Sequence, residues 1–410
     1  MDLKERFLKY VSYDTQSSEE STTFPSTEKQ KVLLAALRDE MEALGMTEVS
    51  MDQYGYVMGT VPATPGCENA PVIGFIAHVD TSPDMSGKDV KPRVIEEYDG
   101  CDIALNGQLT MRVADFPELE FFKGHTLIHT DGTTLLGADD KAGIAEILTV
   151  VETLQQKGLP HGRLCVAFTP DEEIGRGADR FDVKDFGAAV AYTVDGGPIG
   201  EIEYENFNAA SGKVRIQGAS IHPGDAKLKM KNAILIGMEF QSLLPVFENP
   251  MYTEGYEGFY HLDEMSGNVE EAQLNYIIRD HDHEKFEQKK KFFAEAADFL
   301  NRKYGKGTVI AEVTDSYYNM KEKIEPCMYL IDTAKEAMTA CGIEPEVVPI
   351  RGGTDGARLS YMGLPCSNLC TGGYNYHGKY EFIPVASLEK TSRVLVEIGK
   401  KFAVIRSSVE

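Results

Sequence analysis

Several apolar runs in this chain end in acidic side chains or a histidine, and this feature constrains the fold most. The runs span residues 72–77, 135–138, 164–168 and 189–194, followed respectively by His78 and Asp80, Asp139 and Asp140, Glu172 and Glu173, and Asp195. Because side chains alternate along a strand, His78 and Asp80 point to one side, where a carboxylate can orient the imidazole. Asp139 and Asp140 are expected at the start of a helix, where acidic side chains suit the cap and the helix dipole. Ligands of an open α/β sheet bind beyond the carboxyl ends of its strands, so we expect these groups to meet in one crevice.

Short β-rich runs alternate with helical patterns along most of the chain, which predicts an α/β fold with a mixed, largely parallel sheet. An early helix follows a capping-box pattern at Thr27 to Gln30. From about residue 208 the order becomes β-α-β-β-α-β, which is typical of a separate α+β unit. We therefore predict one domain of residues 1–207 and 318–410, with residues 208–317 inserted as a second domain.

The charge balance excludes several kinds of partner. The chain has 41 Lys and Arg against 65 Asp and Glu, a net charge of −24, which disfavours nucleic acids and anionic membrane surfaces. Its apolar runs are too short to span a membrane, and its charged start does not resemble a signal peptide. The seven cysteines are scattered without zinc-knuckle spacing, which predicts reduced thiols in a cytoplasmic protein.

The clustered acidic groups point to bound metal. Several carboxylates in one crevice would repel one another unless cations neutralised them. Taken singly, each acidic residue could be only a cap or turn residue, but together they favour a metal site. His, Asp and Glu without Cys are typical ligands of catalytic zinc, cobalt or manganese, and an Asp shared by two ions gives a paired hydrolytic site. A second imidazole is required, and His377 in the glycine-rich segment 372–378 is the best candidate.

Signatures of other chemistries are absent or incomplete. Gly373 to Lys379 has the spacing of a phosphate-binding loop, but Tyr380 follows where Ser or Thr must bind magnesium. The sequence has no His-Glu-x-x-His and no Gly-x-Ser-x-Gly pattern. ATP binding and a serine nucleophile are therefore not supported.

Six short motifs, in order along essentially the whole chain, resemble those of the co-catalytic zinc peptidases that include carboxypeptidase G and aminoacylase. The motifs lie at residues 74–84, 137–143, 167–173, 192–197, 351–356 and 371–377. Within this family the chain is most similar to the branch that releases the N-terminal residue from tripeptides. The resemblance implies a catalytic domain in the predicted main domain and a lid in residues 208–317.

The resemblance also implies a ligand set for two zinc ions, with cobalt or manganese as substitutes. The set consists of Asp139 as the bridge, His78 and Asp195 on one ion, and Glu173 and His377 on the other. A cis peptide bond between Asp139 and Asp140 is implied as well.

Five further residues receive roles from the resemblance. Glu172 would be the general base, and Asp80 would fix the tautomer of His78. His222 would help to stabilise the tetrahedral intermediate. Arg279 and Arg351 would bind the C-terminal carboxylate of the peptide.

Two alternatives stay open at this point. A deacylase or carboxypeptidase of the same superfamily would share every metal ligand and differ only in its contacts with substrate. A non-catalytic metal-dependent binding protein would keep the ligands but would not need Glu172. The side-chain preference and the oligomeric state, whether monomer or homodimer, are not determined by the sequence.

Overall fold

The computed structural model describes residues 1–405. Its α-helices are α1 (Leu3–Val11), α2 (Gln30–Ala43), α3 (Ala138–Lys157), α4 (Val183–Phe186), α5 (Ala233–Leu243), α6 (His283–Tyr304), α7 (Lys321–Ile324), α8 (Tyr329–Ala340), α9 (Asp355–Tyr361) and α10 (Val385–Phe402). Its strands are β1 (Thr47–Met51), β2 (Val57–Val61), β3 (Ile73–His78), β4 (Arg93–Ile95), β5 (Ile103–Ala104), β6 (Thr110–Met111), β7 (Leu127–His129), β8 (Leu164–Thr169), β9 (Val190–Gly196), β10 (Glu201–Glu203), β11 (Asn208–Gln217), β12 (Phe259–Gly267), β13 (Glu271–Asp280), β14 (Val309–Tyr317), β15 (Glu346–Val347), β16 (Cys366–Cys370) and β17 (Phe382–Pro384).

An eight-stranded mixed sheet has the order β1-β2-β8-β3-β9-β16-β10-β15. Its central neighbours β8, β3, β9 and β16 run parallel, whereas β1 and β2 pair antiparallel at one edge. Strands β3, β8 and β16 are buried along their whole length, as expected for parallel strands covered on both faces. Helix α3 packs on β3 and β9 and contacts α1 and α10. The predicted fold class is confirmed.

The parallel strands bring their carboxyl ends to one edge of this sheet. β3 ends at His78, β8 ends at Thr169 just before the acidic segment 171–173, and β9 carries Asp195 next to its last residue. The run at 135–138 differs from the other three because it is not a strand of this sheet. It is a loop that leads directly into α3, so Asp139 comes from a helix start.

The inserted segment forms a four-stranded antiparallel sheet in the order β12-β13-β11-β14. Helices α5 and α6 pack against it around a core that includes Phe240, Phe286 and Phe293. The chain order β11-α5-β12-β13-α6-β14 is the predicted β-α-β-β-α-β order.

Two compact units result from these contacts. The main unit contains Met1–Tyr204, Glu322–Val348 and the chain from Thr354, and the inserted unit contains Glu205–Lys321 and Pro349–Gly353. The short segment joins the inserted unit because the Ile350 N–H donates to the Glu205 carbonyl at 2.9 Å. Arg351 therefore belongs to the inserted unit, whereas the predicted boundaries place it in the other domain.

The start of α2 differs from the start predicted from the sequence. Gln30 is the first residue of this helix, which has no side-chain cap, so the predicted capping box is wrong. The side-chain oxygen of the buried Gln30 accepts instead the N–H of Asp171 at 3.1 Å, its amide N–H donates to Asp171 Oδ1 at 2.6 Å, and Thr27 Oγ1 donates to the Gln16 carbonyl. A tertiary partner has replaced the local backbone N–H.

Two findings bear on the expected cellular context. Among residues 1–405, the helices include none that is long and apolar enough to cross a membrane. All seven cysteines are free thiols, and four of them are buried.

Candidate active site

His78 ends β3 and is 2% exposed. Its Nδ1 lies 3.1 Å from the Asp80 carbonyl oxygen and 3.3 Å from Asp80 Oδ1, so Nε2 points away from Asp80. The Asp80 carboxylate also accepts the N–H groups of Glu172 at 3.0 Å and Glu173 at 3.2 Å. Asp80 thus joins the end of β3 to the acidic segment that follows β8.

The two oxygens of the Asp139 carboxylate face two different imidazoles. Its Oδ1 lies 2.9 Å from His78 Nε2, and its Oδ2 lies 3.1 Å from His377 Nε2. Each imidazole also meets a second carboxylate. Asp195 Oδ1 is 3.3 Å from His78 Nε2, and Glu173 Oε2 is 2.9 Å from His377 Nε2. The five expected metal ligands therefore form two histidine–carboxylate pairs that share Asp139.

The backbone at the start of α3 separates two neighbouring carboxylates. The peptide bond between Asp139 and Asp140 is cis, as expected, and both residues have non-helical dihedral angles. The Asp140 carboxylate accepts the backbone N–H of His78 at 3.2 Å and that of Gly143 at 3.1 Å. Asp139 is thus left to face the imidazoles, while Asp140 ties the start of α3 to the end of β3.

The surroundings in this cluster raise the pKa values of both imidazoles and of Glu172. Burial opposes a charged His78, but the Asp195 carboxylate raises the pKa of this imidazole well above its usual value. The hydrogen bond to Asp139 raises the pKa of His377 to about 11. Burial and the charge of Asp195 raise the pKa of Glu172 well above its usual value. The site therefore favours positive charge next to its carboxylates.

The donor set fits divalent metal ions. Ligand atoms of His78, Asp139 and Glu173 lie within 4.8 Å of one another, as do those of His78, Asp140 and Asp195. Glu173 Oε1 is buried and accepts no hydrogen bond from residues 1–405. Nitrogen and oxygen donors without thiolate are typical of catalytic zinc.

Arg279 and Arg351 lie together within the inserted unit. Arg279 Nη1 donates to the Arg351 carbonyl at 2.9 Å, and the Arg351 guanidinium donates to backbone carbonyls of the segment 253–257. Both guanidinium carbons lie 5.1–6.0 Å from the ring centres of Phe207 and Phe259. Arg279 Nε is buried without an acceptor in the described part of the chain.

His222 also belongs to the inserted unit, where its side chain is exposed. Its Nδ1 accepts the N–H of Gly224 at 3.2 Å, which caps the short 3₁₀ turn Pro223–Asp225. Its catalytic role stays a prediction.

A sequence profile described as Peptidase family M20/M25/M40 matches residues 124–401. The chain belongs to this peptidase family. The resemblance to a peptidase family that the six motifs indicated is therefore confirmed, and so is the expectation that the protein is a peptidase.

Two relatives of this M20 chain are close over nearly their full lengths. Peptidase T of Caldanaerobacter subterraneus subsp. tengcongensis is 58% identical over 404 residues, covering 97% of this chain and 98% of the relative. Peptidase T of Geobacillus thermodenitrificans is 57% identical, covering 98% of each chain.

Solved structures of M20-type peptidases share the architecture. The aminopeptidase PepT of Bacillus cereus has a TM-score of 0.79 and 26% identity, covering 98% of each chain. A Bacillus subtilis protein described as a dinuclear metal-binding peptidase of the M20 family has a TM-score of 0.65 and 14% identity, covering 97% of each chain. At 14% identity, the similarity to the Bacillus subtilis protein concerns the fold alone.

Three acidic residues around the site of this M20 chain were given no role from the sequence. Asp84 Oδ2 lies 3.5 Å from His377 Nδ1. Asp355 is buried, and its Oδ2 has no hydrogen-bond partner in residues 1–405 and occupies the space that a side chain at Gly177 would need. Glu381 accepts backbone N–H groups beside Asp139. Asp84 and Asp355 lie inside quoted motifs, but Glu381 follows the last one and has no local signal.

Proposed function

We propose that this chain is a di-zinc aminopeptidase that releases the N-terminal residue from tripeptides. The observation that carries the proposal is the division of the Asp139 carboxylate between the His78–Asp195 pair and the His377–Glu173 pair. The near-full-length relatives named Peptidase T support the aminopeptidase reading over a deacylase.

In this proposal Asp139 would bridge two cations, with the other four ligands divided between them. Cobalt or manganese would satisfy the same nitrogen and oxygen donors as zinc. Bound cations would lower the pKa of a water molecule and polarise the scissile carbonyl.

The chain's own residues supply the remaining chemistry. Glu172 would accept the proton of the attacking water and later give it to the departing amine. Its backbone is fixed by the hydrogen bond from its N–H to Asp80 Oδ1. Asp80 would at the same time keep the His78 ring in one tautomer through Nδ1.

The substrate contacts would come from the inserted unit. The paired guanidinium groups of Arg279 and Arg351 suit the C-terminal carboxylate of a short peptide, and His222 would assist the developing oxyanion. Residues 208–317 would act as a lid for the catalytic domain of 1–207 and 318–410, with the segment 349–353 grouped with the lid. The seven free thiols support a reducing, cytoplasmic location.

An assay on three substrates tests the proposal. The purified protein is incubated with a free tripeptide, its N-acetylated form and its C-terminally amidated form, and the released residue is identified by mass spectrometry. We expect release of the N-terminal residue from the free tripeptide, loss of this activity on chelation and recovery on adding Zn²⁺. A preference for the N-acetylated form would indicate a deacylase, and release of the C-terminal residue would indicate a carboxypeptidase.

A further inference from the structure

The assigned start of α3 lies beside the shared ligand Asp139 and has no side-chain cap at its N-cap position, because the Asp140 carboxylate caps only the following turn through the N–H of Gly143. Gly137 occupies the N-cap position with φ 82 and has no side chain to accept a hydrogen bond. The first N–H groups of a helix lack partners within the helix and need an outside acceptor. Glu381 is that acceptor.

The Glu381 carboxylate accepts from consecutive backbone N–H groups at this helix start. Its Oε2 accepts from Leu136 at 2.6 Å and Gly137 at 3.0 Å. Its Oε1 accepts from Ala138 at 2.6 Å and Asp139 at 3.4 Å. Glu381 is 1% exposed, and its carboxylate is turned toward these backbone donors.

Glu381 is also attached to the segment that carries the other histidine ligand. Tyr374 and Phe382 exchange backbone hydrogen bonds at 2.9 and 3.1 Å, which closes the loop that contains His377 and Glu381. β17, which begins at Phe382, pairs with β7. One carboxylate therefore joins the loop of His377 to the backbone of Asp139, although these ligands are far apart in sequence.

We propose that Glu381 is a positioning residue of the metal centre. By capping α3 it sets where the Asp139 carboxylate lies relative to His377, without itself binding metal or substrate. This inference rests on the proposed di-metal site. Residues that orient metal ligands from outside typically affect metal affinity about 10–100-fold when replaced.

The substitution Glu381→Gln tests the cap because it removes the charge and one acceptor oxygen while the side-chain volume stays almost unchanged. The amide oxygen can still accept from two N–H groups, but the amide NH₂ must face the other two donors. A second variant, Glu381→Asp, keeps the charge but is shorter by one methylene and cannot reach all four groups. The control is Glu40→Gln, because Glu40 is a poorly exposed carboxylate that pairs with Arg6 at 2.9 Å and Lys9 at 2.8 Å on α1, away from the metal ligands.

The measurement is a calorimetric titration of each metal-free protein with Co²⁺, with far-UV circular dichroism to verify folding. We expect two Co²⁺ per wild-type chain, a 10–100-fold weaker affinity for at least one ion in Glu381→Gln, and wild-type affinity in Glu40→Gln. We also expect saturating Co²⁺ to restore most of the kcat of Glu381→Gln but not that of Glu172→Gln.

The outcomes separate this inference from the proposed function. Wild-type protein that fails to bind two Co²⁺ would overturn both. Two Co²⁺ bound with wild-type affinity by folded Glu381→Gln, or an equal loss of affinity in Glu40→Gln, would overturn the positioning role alone. If Glu381→Gln does not fold, Glu381→Asp decides, because wild-type affinity in that variant would also overturn the role.

Discussion

The substitution Gly143→Ala tests how closely α3 must approach the strand that carries Asp195. A Cβ at Gly143 would lie less than 3.0 Å from the backbone oxygen of Val194 and from Asp140 Oδ1, whereas ordinary contact begins at 3.4 Å. Val194 belongs to β9 in the middle of the main sheet, so its carbonyl cannot rotate away from the added methyl group. Gly143→Ala must therefore displace α3 from β9.

Two opposing free-energy changes determine the size of the effect. Alanine is favoured over glycine within a helix by about 1 kcal/mol. Overpacking in a rigid core costs about 1–3 kcal/mol, and two clashing oxygen atoms place this site at the upper end. We expect a net loss of about 2 kcal/mol in the free energy of unfolding. The displacement would also move Asp139 relative to Asp195, so Co²⁺ affinity should fall.

Gly399→Ala is the matched control on another helix. Gly399 lies in α10, where the nearest atom to an added Cβ is Leu154 Cδ1 at 3.7 Å. This alanine should stabilise the protein by about 0.4–1 kcal/mol, because it restricts the unfolded chain without a clash. Urea titrations of both metal-free variants measure the difference. A Gly143→Ala variant as stable as wild type would refute the close-approach argument.

Three further predictions concern the proposed base, an interior cation and peptide length. Glu172→Gln should keep two metal ions by elemental analysis yet lose about 10²–10⁴-fold in kcat, because an amide cannot accept the proton, whereas Glu173→Gln should lose bound metal. Arg6 is 1% exposed and lies 2.9 Å from both Glu40 and Glu152, so Arg6→Ala should cost about 3 kcal/mol in a urea titration. Tripeptides should exceed dipeptides and tetrapeptides in kcat/KM by about tenfold, since a mismatched length leaves the carboxylate-binding guanidinium groups unpaired. C-terminal amidation should remove much of that advantage, and equal kcat/KM for all lengths would contradict it.

Local sequence patterns predict the types of groups at the site better than the way they are held. The period of a strand places His78 and Asp80 on the same side, and in the structure the His78 ring faces Asp80. The run at 135–138 counts as a fourth strand on its apolar pattern alone, but in the structure it is a loop. The expected helix start at Asp139 and Asp140 is confirmed, because acidic residues at a helix start are a local signal.

Local sequence patterns cannot predict contacts between segments that are distant in sequence. The pattern Thr27 to Gln30 satisfies the rule for a capping box, yet the Gln30 amide binds Asp171, which is 141 positions away. Glu381 caps α3 from more than 240 positions away. A local rule considers only neighbouring donors and acceptors, so it fails wherever a residue distant in sequence supplies the partner.

The way in which the proposed metal ligands are held determines what substitutions around them should do. The direction of the Asp139 carboxylate depends on Glu381 at its backbone, on Asp140 beside it and on the tight packing of Gly143 against β9. None of these three groups needs to touch substrate to matter. A variant at any of them should therefore lower metal affinity while leaving the affinity of the metal-loaded protein for peptide nearly unchanged, whereas variants at Arg279 or Arg351 should show the reverse. Measuring both affinities for each variant distinguishes residues that hold the ligands from residues that hold the peptide.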